Sequence, residues 1–442
     1  MDLVTSYFFL GLTSVSIGVL LGNANGGIKR HLAYFFCLSV YLFYLFITPF
    51  YMYKMGVKSI ILSDISDYYD DGLNMSVINL CSFIIGYWIV RGKKLELTSD
   101  LNPSLNSAEK SESKNVFKTY IILYGIVLLN ISLSGASVLN VFLGKSVLGL
   151  GARGFSYYLM NAVDGLITTN IMGVLFNVKR RIFLIMLFSS FFLFILLGFR
   201  YRILLSLIGI GIVWLYKIQF NVRTIILPTV FAVFSFYLIL FSTFNRKNLF
   251  EKNWLNLTYN PSLFDYSIIF EQTRGALADM AIIRGFEIKN LEHDYGVTTF
   301  FYPFIRLMPR FILTNKDGYY PSPQLSTTIK AYDIPYSATV GEATTNVGAF
   351  YIHGGIYGVI LGSFLMGVLI KTFNNRINVK SNWSLLLNIT FSVSLFQWIT
   401  RGYFPQWIDT FVYMAIPVYV FRELSKKTLT KRLFKKKTPK TA

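Results

Sequence analysis

The feature that most constrains this chain is the recurrence of long apolar runs. They fall at roughly 6–22, 32–53, 74–91, 117–134, 158–177, 182–198, 203–216, 224–243, 346–370, 383–399 and 407–421. A helix needs about 20 mainly apolar residues to cross about 30 Å of hydrocarbon, and inside a bilayer its backbone groups must be satisfied within the segment. Runs of this number and length predict an all-α polytopic membrane protein with about eleven transmembrane helices. Charge agrees: 14% of residues are Asp, Glu, Lys or Arg, where a soluble domain carries about 25%. The run Tyr7–Leu21 follows Met-Asp-Leu without a basic stretch, so it is expected to be a retained first helix and not a cleaved signal.

The polar segments between the runs differ in character. Residues 23–31, 91–118, 178–181, 217–223, 371–381 and the tail hold most of the lysines and arginines, although most of the extramembrane length lies in the other set. With eleven crossings, placing this basic set in the cytoplasm satisfies the positive-inside rule, with the amino terminus outside and the carboxyl terminus inside. A twelve-helix alternative requires one run to be split, for which the Gly-rich 354–367 stretch is suited. The expected organisation is a bundle over 1–243 with a cytoplasmic linker at 92–116, a large outer loop over 244–345, further helices over 346–421, and a basic cytoplasmic tail over 422–442. The net charge is +20, and its largest basic block is that tail, next to an apolar run, which suits membrane lipids and not nucleic acid. Cys37 and Cys81 lie in apolar runs, and His31, His293 and His353 are scattered. Neither a disulfide framework nor a metal or cofactor site is expected.

The 244–345 loop is far longer than a connection needs. Its aromatics recur throughout, and its Lys and Arg balance its Asp and Glu. It is expected to form a folded cap, with an amphipathic helix over 262–287 and a second over 299–312, interrupted at Pro303 and Pro309.

Candidate site residues lie mainly in or beside this loop. Arg200 and Arg202, in Gly198-Phe-Arg-Tyr-Arg202, sit at the outer end of a run, where guanidinium groups bind phosphate bidentately or snorkel to lipid headgroups. Arg274 and Arg284 fall on the expected loop helix, with Glu271 as a possible surface partner of Arg274. Arg306 and Arg310 are four residues apart, so on a helix they share a face that can hold a diphosphate or anchor at the interface. Glu342, where the loop re-enters the apolar region, is either a helix cap or a general base. His353 follows on the same segment. The acidic stretch Asp64-Ile-Ser-Asp67-Tyr-Tyr-Asp70-Asp71 either binds a divalent ion or is a solvated loop.

These segments, namely Gly198-Phe-Arg-Tyr-Arg202, Pro309-Arg310 followed by Lys316, and Gly341-Glu342 with Asn346-Val347-Gly348, together with one large late outer loop, resemble the Wzy-type oligosaccharide repeat-unit (O-antigen) polymerases. That family has an arginine and a glycine separated by ten residues in outer loops, a spacing met here by Arg274 with Gly285 and by Arg200 with Gly211. The resemblance covers most of the chain as architecture and only short motifs as sequence. It implies a GT-C-like bundle in the bacterial inner membrane with its large loop periplasmic. The implied activity is a metal-independent glycosyltransferase that joins undecaprenyl-pyrophosphate-linked oligosaccharide repeat units during lipopolysaccharide or related surface polysaccharide biosynthesis, with a chain-length regulator as a possible partner. Arg274, Arg310 and Glu342 would then be catalytic, and Arg200, Arg202, Arg284, Arg306 and His353 would hold diphosphate or glycan. An O-antigen ligase, a polyprenyl-phosphate-sugar-dependent GT-C enzyme and a lipid-linked oligosaccharide flippase are the alternatives. The flippase fits least, because the apolar runs are nearly charge-free and the outer loop is large.

Overall fold

The computed structural model describes residues 2–92, 106–133, 155–197, 200–217, 270–271, 273–308, 312–315, 319, 321–332, 343–376 and 382–437. Helices occupy each apolar run except 224–243, which lies outside the described residues. They are α1 (Leu3–Ala24), α2 (Leu32–Lys54, with a π-helical turn at Leu42–Ile47), α3 (Tyr69–Ile89), α4 (Asn106–Leu133), α5 (Phe155–Leu175), α6 (Arg180–Leu196) and α7 (Arg200–Lys217). The outer-loop region adds α8 (Gly275–Lys289), α9 (Val297–Phe300), α10 (Tyr302–Leu307) and α11 (Pro323–Ala331), and α12 (Asn346–Arg376), α13 (Asn382–Arg401) and α14 (Phe404–Lys437) follow. Among the described residues, five helices are long and apolar enough to cross a membrane: α1, α2, Ser66–Ile89, Glu112–Ser132 and Asn346–Asn375.

The chain forms two compact units. One comprises Met1–Leu95, Asp265–Asn378 and Phe391–Asp409, and the other Glu96–Phe264, Val379–Thr390 and Thr410–Ala442. Most of the region expected as the large loop, from Asp265 on, falls within the first unit.

Small residues let the first unit's helices approach. The buried positions of α1 include Gly11, Ser14, Gly18 and Gly22, at helical spacing. A Cβ at Gly11 or Gly22 would collide with the rings of Phe46 or Phe35 of α2. Between α3 and α12 the approach is backbone to backbone. A Cβ on Gly86 would fall 2.1 Å from the Phe364 carbonyl oxygen, and one on Gly367 would fall 2.4 Å from that of Phe83. Dispersion and close packing of this kind replace the hydrophobic effect between helices in lipid.

The loop's central helix corrects the sequence expectation. A turn at Thr273–Arg274 precedes a helix over Gly275–Lys289 that is not amphipathic, and 262–269 lie outside the described residues. Ala276 through Ile283 are all buried, as is Gly285, and a helix apolar nearly all round belongs in a core. It packs against α3 and α12. Ser322 caps α11 by accepting from the Leu325 N–H at 3.3 Å, with Pro323 in its first turn, a preferred start for a helix.

The run 346–370 is not one continuous helix. Gly354 (φ 177°, ψ 36°) and Gly355 (φ 60°, ψ −142°) break it, and Gly355 occupies a region that only glycine adopts readily. A Cβ on Gly358 would lie 2.2 Å from the Phe350 carbonyl oxygen, and Asn346 Nδ2 lies 3.9 Å from Met366 Sδ. Asn346–His353 therefore folds back along the helix that follows. At 1.5 Å per residue this half-helix is about 12 Å long, too short to cross the hydrocarbon. It forms a hairpin with the helix that follows.

In the second unit, Thr168 Oγ1 donates to the Met414 carbonyl at 2.7 Å, and Tyr120 and Ser189 share a hydrogen bond of 2.6 Å. Phe176 packs against Trp383 and Phe421.

Candidate functional site

The half-helix is anchored at both ends by residues of the outer-loop region. At its start, Thr345 donates its backbone N–H to Asp279 Oδ1 at 2.8 Å and its hydroxyl to Oδ2, with Gly348 N–H as a further donor. Asp279, fully enclosed on α8, thus caps a helix in another part of the chain, with its carboxyl group at the positive end of a helix dipole. Asn346 next to it donates to Tyr41 Oη and Asn79 Oδ1, both at 3.1 Å. Tyr41 and Asn79 lie halfway along α2 and α3, so the half-helix starts at mid-depth of the bundle.

At its other end sits His353. Nδ1 is hydrogen-bonded to Asp294 Oδ1, and Nε2 lies 2.7 Å from Thr299 Oγ1. Asp294 is held by its local turn: its carboxylate accepts from Gly296 N–H at 2.9 Å, and its own N–H donates to the Ile352 carbonyl at 3.1 Å. Tyr295 and Gly296, both with positive φ, make that turn. Burial raises the Asp294 pKa, but the bond and charge of His353 and the bonds from Thr298 and Gly296 outweigh it and hold the carboxyl below its usual range. When the imidazole is neutral, an ionised carboxylate on Nδ1 favours the tautomer that leaves Nε2 as proton acceptor toward a hydroxyl. His293 stacks on Phe286 with centroids 4.5 Å apart, and its Nδ1 lies 3.2 Å from the Ile352 carbonyl.

A second convergence lies around the start of the half-helix. A Cβ on Gly275 would touch Thr345 Cγ2 at 3.1 Å, the Ala343 carbonyl at 3.3 Å and the Thr400 carbonyl at 3.6 Å, and one on Gly402 would fall 2.3 Å from the Thr345 carbonyl. Three backbones meet here, and they carry Arg274 at the N-cap of α8 and Arg401 at the end of α13. Gln324 joins the two convergences: its N–H donates to Thr298 Oγ1 at 3.1 Å, and its Nε2 donates to the Gly402 carbonyl at 3.2 Å.

The other sequence-predicted residues divide as follows. Arg310 and Glu342 lie outside the described residues, as does Lys316. Arg306 pairs with Asp409 and faces the Tyr403 ring at 6.0 Å. Its helix ends at Leu307, and the face expected to be shared with Arg310 lies outside the described residues. Pro303 starts α10 and does not interrupt it. Arg284 Nη1 donates to Ser63 Oγ at 3.4 Å, beside the hairpin of Ser59–Ile60 and Ser63–Asp64. Arg200 starts α7. Arg202 bonds through Nε to Asp164 of α5 at 2.5 Å, and both are buried. Both residues belong to the second unit.

In the acidic stretch, Asp64 accepts from Ser66 and Asp70 from the Asp71 N–H. These are local turn bonds, and among the described residues no three acidic, His or Cys side chains are arranged to hold a metal ion.

Sequence reasoning missed Asp279, Asp294, Thr299 and Arg401. Only Arg401-Gly402 carried a local signal, an arginine and glycine at the outer end of an apolar run. The carboxylates become visible once the hairpin brings residues about sixty positions apart together. A comparison with protein families, curated proteins and solved structures finds no match.

Proposed function

We propose that this chain is a membrane glycosyltransferase that polymerises undecaprenyl-pyrophosphate-linked oligosaccharide repeat units at the periplasmic face of a bacterial inner membrane, within an eleven-crossing GT-C-like bundle. The observation that carries the reading is His353 at the tip of the hairpin, with Asp294 on one ring nitrogen and a hydroxyl on the other. In this reaction the acceptor sugar hydroxyl attacks the donor's anomeric carbon. The bond to the pyrophosphate oxygen breaks, undecaprenyl pyrophosphate leaves, and the hydroxyl proton passes to His353 Nε2. Thr299 marks where the hydroxyl sits. Glu342 is the alternative base.

Cations must meet the departing diphosphate. Arg274 is assigned there, beside Arg401 and at the N-terminus of α8, with Arg310 as a further candidate. Arg306, engaged by Asp409, positions the outer end of α14. Exposed aromatics on the loop, among them Tyr295 and Phe301, suit sugar faces. No cofactor is needed.

The second reading is an O-antigen ligase. His293, which lies within the large outer loop and stacks on Phe286, is what favours it, because a histidine there is expected of ligases. Gene deletion separates the readings through the lipid-linked intermediates. Loss of a polymerase leaves single repeat units on the core, loss of a ligase leaves full polymer on the lipid carrier, and loss of a flippase leaves units facing the cytoplasm. If Arg274→Ala and Arg310→Ala both keep normal polymer length and yield, the diphosphate assignment is wrong.

A further inference from the structure

The short helices α9 and α10 run on from one another. Phe301 joins them with φ −100° and ψ −38°, inside the right-handed helical region. Its N–H donates to the Val297 carbonyl at 3.0 Å, and that of Ile305 donates to the Phe301 carbonyl at 3.2 Å. Val297–Leu307 is therefore one helical stretch, about 16 Å long at 1.5 Å per residue.

Its faces are the reverse of those of a water-soluble helix. Thr298 and Tyr302 are buried, Thr299 meets His353, and Arg306 pairs with Asp409. The polar groups are thus spent against the protein. Val297, Phe300 and Phe304, spaced by three and four residues, share the opposite face. Phe300 is 64% exposed and Phe304 68%, and Val297 is exposed too. A helix on a soluble surface turns its charged and polar side outward, and a run of apolar side chains left in water marks a contact surface.

Hydrogen bonds fix where this stripe lies. Thr299 Oγ1 is 2.7 Å from His353 Nε2, and the Asp294 N–H donates to the Ile352 carbonyl at 3.1 Å. Three residues after His353, α12 begins to turn apolar side chains outward: Ile356, Tyr357, Ile360 and Leu361 are all exposed, Tyr357 by 81%. Asn346–Asn375 is long and apolar enough to cross a membrane. The stretch is tied to the residues at which α12 enters hydrocarbon, and at about 16 Å it is too short to cross that layer itself.

We propose that Val297–Leu307 lies along the membrane surface, with Val297, Phe300 and Phe304 inserted among the lipids of the leaflet at the His353 end of α12. By the positive-inside reading this is the outer leaflet. Lipid fits the stripe better than a glycan does, because none of the three side chains can form a hydrogen bond. It also continues the apolar surface that α12 presents. Phe301 borders the stripe, so a sugar contact there is compatible with lipid along it. An interfacial helix buries its apolar face about 5–10 Å into the headgroup and acyl boundary, which holds His353 at the membrane surface. The proposal does not depend on glycan joining.

The test uses the unaltered full chain in phosphatidylethanolamine–phosphatidylglycerol vesicles that contain a phosphatidylcholine with a diazirine near the glycerol end of one acyl chain. After irradiation, adducts are mapped by peptide mass spectrometry. Adducts are expected on Val297–Phe304 and on Ile356–Leu361. Adducts on α12 with none on Val297–Phe304 overturn the proposal, and a cross-link from the stripe to a second copy would then name what covers it. Depth is read separately from nitroxide labels on Phe300→Cys and Phe304→Cys in a Cys81→Ser background, with Leu361→Cys as the lipid reference. Both stripe labels are expected to collide more with oxygen than with a water-soluble nickel chelate, as the reference does. The opposite order at both positions would place the stripe in water and overturn the proposal.

Discussion

Asn346 and Met366 touch although twenty residues separate them, with Nδ2 and Sδ 3.9 Å apart. On a continuous helix that separation would be about 30 Å. The contact exists because the chain reverses at Gly354–Gly355, and the reversal sets His353 at an outer tip while Asn346 stays beside Tyr41 and Asn79.

The hairpin depends on a glycine at the contact. Gly358→Ala puts a methyl 2.2 Å from the Phe350 carbonyl oxygen, and backbone must move to accept it. The expected loss is about 3 kcal/mol or more. Gly125 of α4 has nothing within 4 Å of its Cβ position, so Gly125→Ala is neutral or stabilises by up to about 1 kcal/mol. Thermal unfolding of the two variants in detergent checks the contrast, and equal effects would contradict the hairpin geometry.

The Arg202–Asp164 pair is structural. Removing Arg202 alone leaves a buried carboxylate, and Arg202→Met is expected to lose about 3–5 kcal/mol. The double replacement Arg202→Met with Asp164→Leu recovers most of that stability. A phosphate-binding Arg202 would give the opposite pattern, with stability kept in the single variant and activity lost in both.

His31 makes the fold sensitive to acid. Its folded pKa, about 4, lies below the ordinary 6.5 because of burial, Lys371 and Arg30. The unfolded chain therefore takes up a proton before the folded one does. The associated stability is fully present above about pH 6.5 and is lost as pH falls toward 4, amounting to roughly 3 kcal/mol at most. His31→Gln flattens that part of the pH dependence of unfolding. An unchanged slope would show that His31 does not carry it.

Much of the helical layout was legible in the sequence, because a run of apolar residues long enough to cross hydrocarbon admits few other structures. Asp164 and Asp409 were visible as rare charges near or within apolar runs, but their partners Arg202 and Arg306 were not. Pairing across helices depends on rotation and depth, which one run does not encode. The hairpin was half visible: Gly354–Gly355 marked a place where a run can divide, without saying that the first half turns back. The depth of α8 was hidden for the same reason. Its apolar residues fit an amphipathic cap until α3 and α12 are seen to enclose it.

The central claim is that His353 and Asp294 serve glycan joining. The most direct measurement is polymer formation by the purified chain from a lipid-linked repeat unit, followed by gel, for wild type, His353→Ala, Asp294→Asn and Glu342→Gln. The account predicts that His353→Ala loses turnover by about 10²–10⁴-fold with unfolding temperature little changed. Asp294→Asn falls between it and wild type, and Glu342→Gln retains activity. Wild-type turnover by His353→Ala, or no polymer from the wild-type chain, would contradict it.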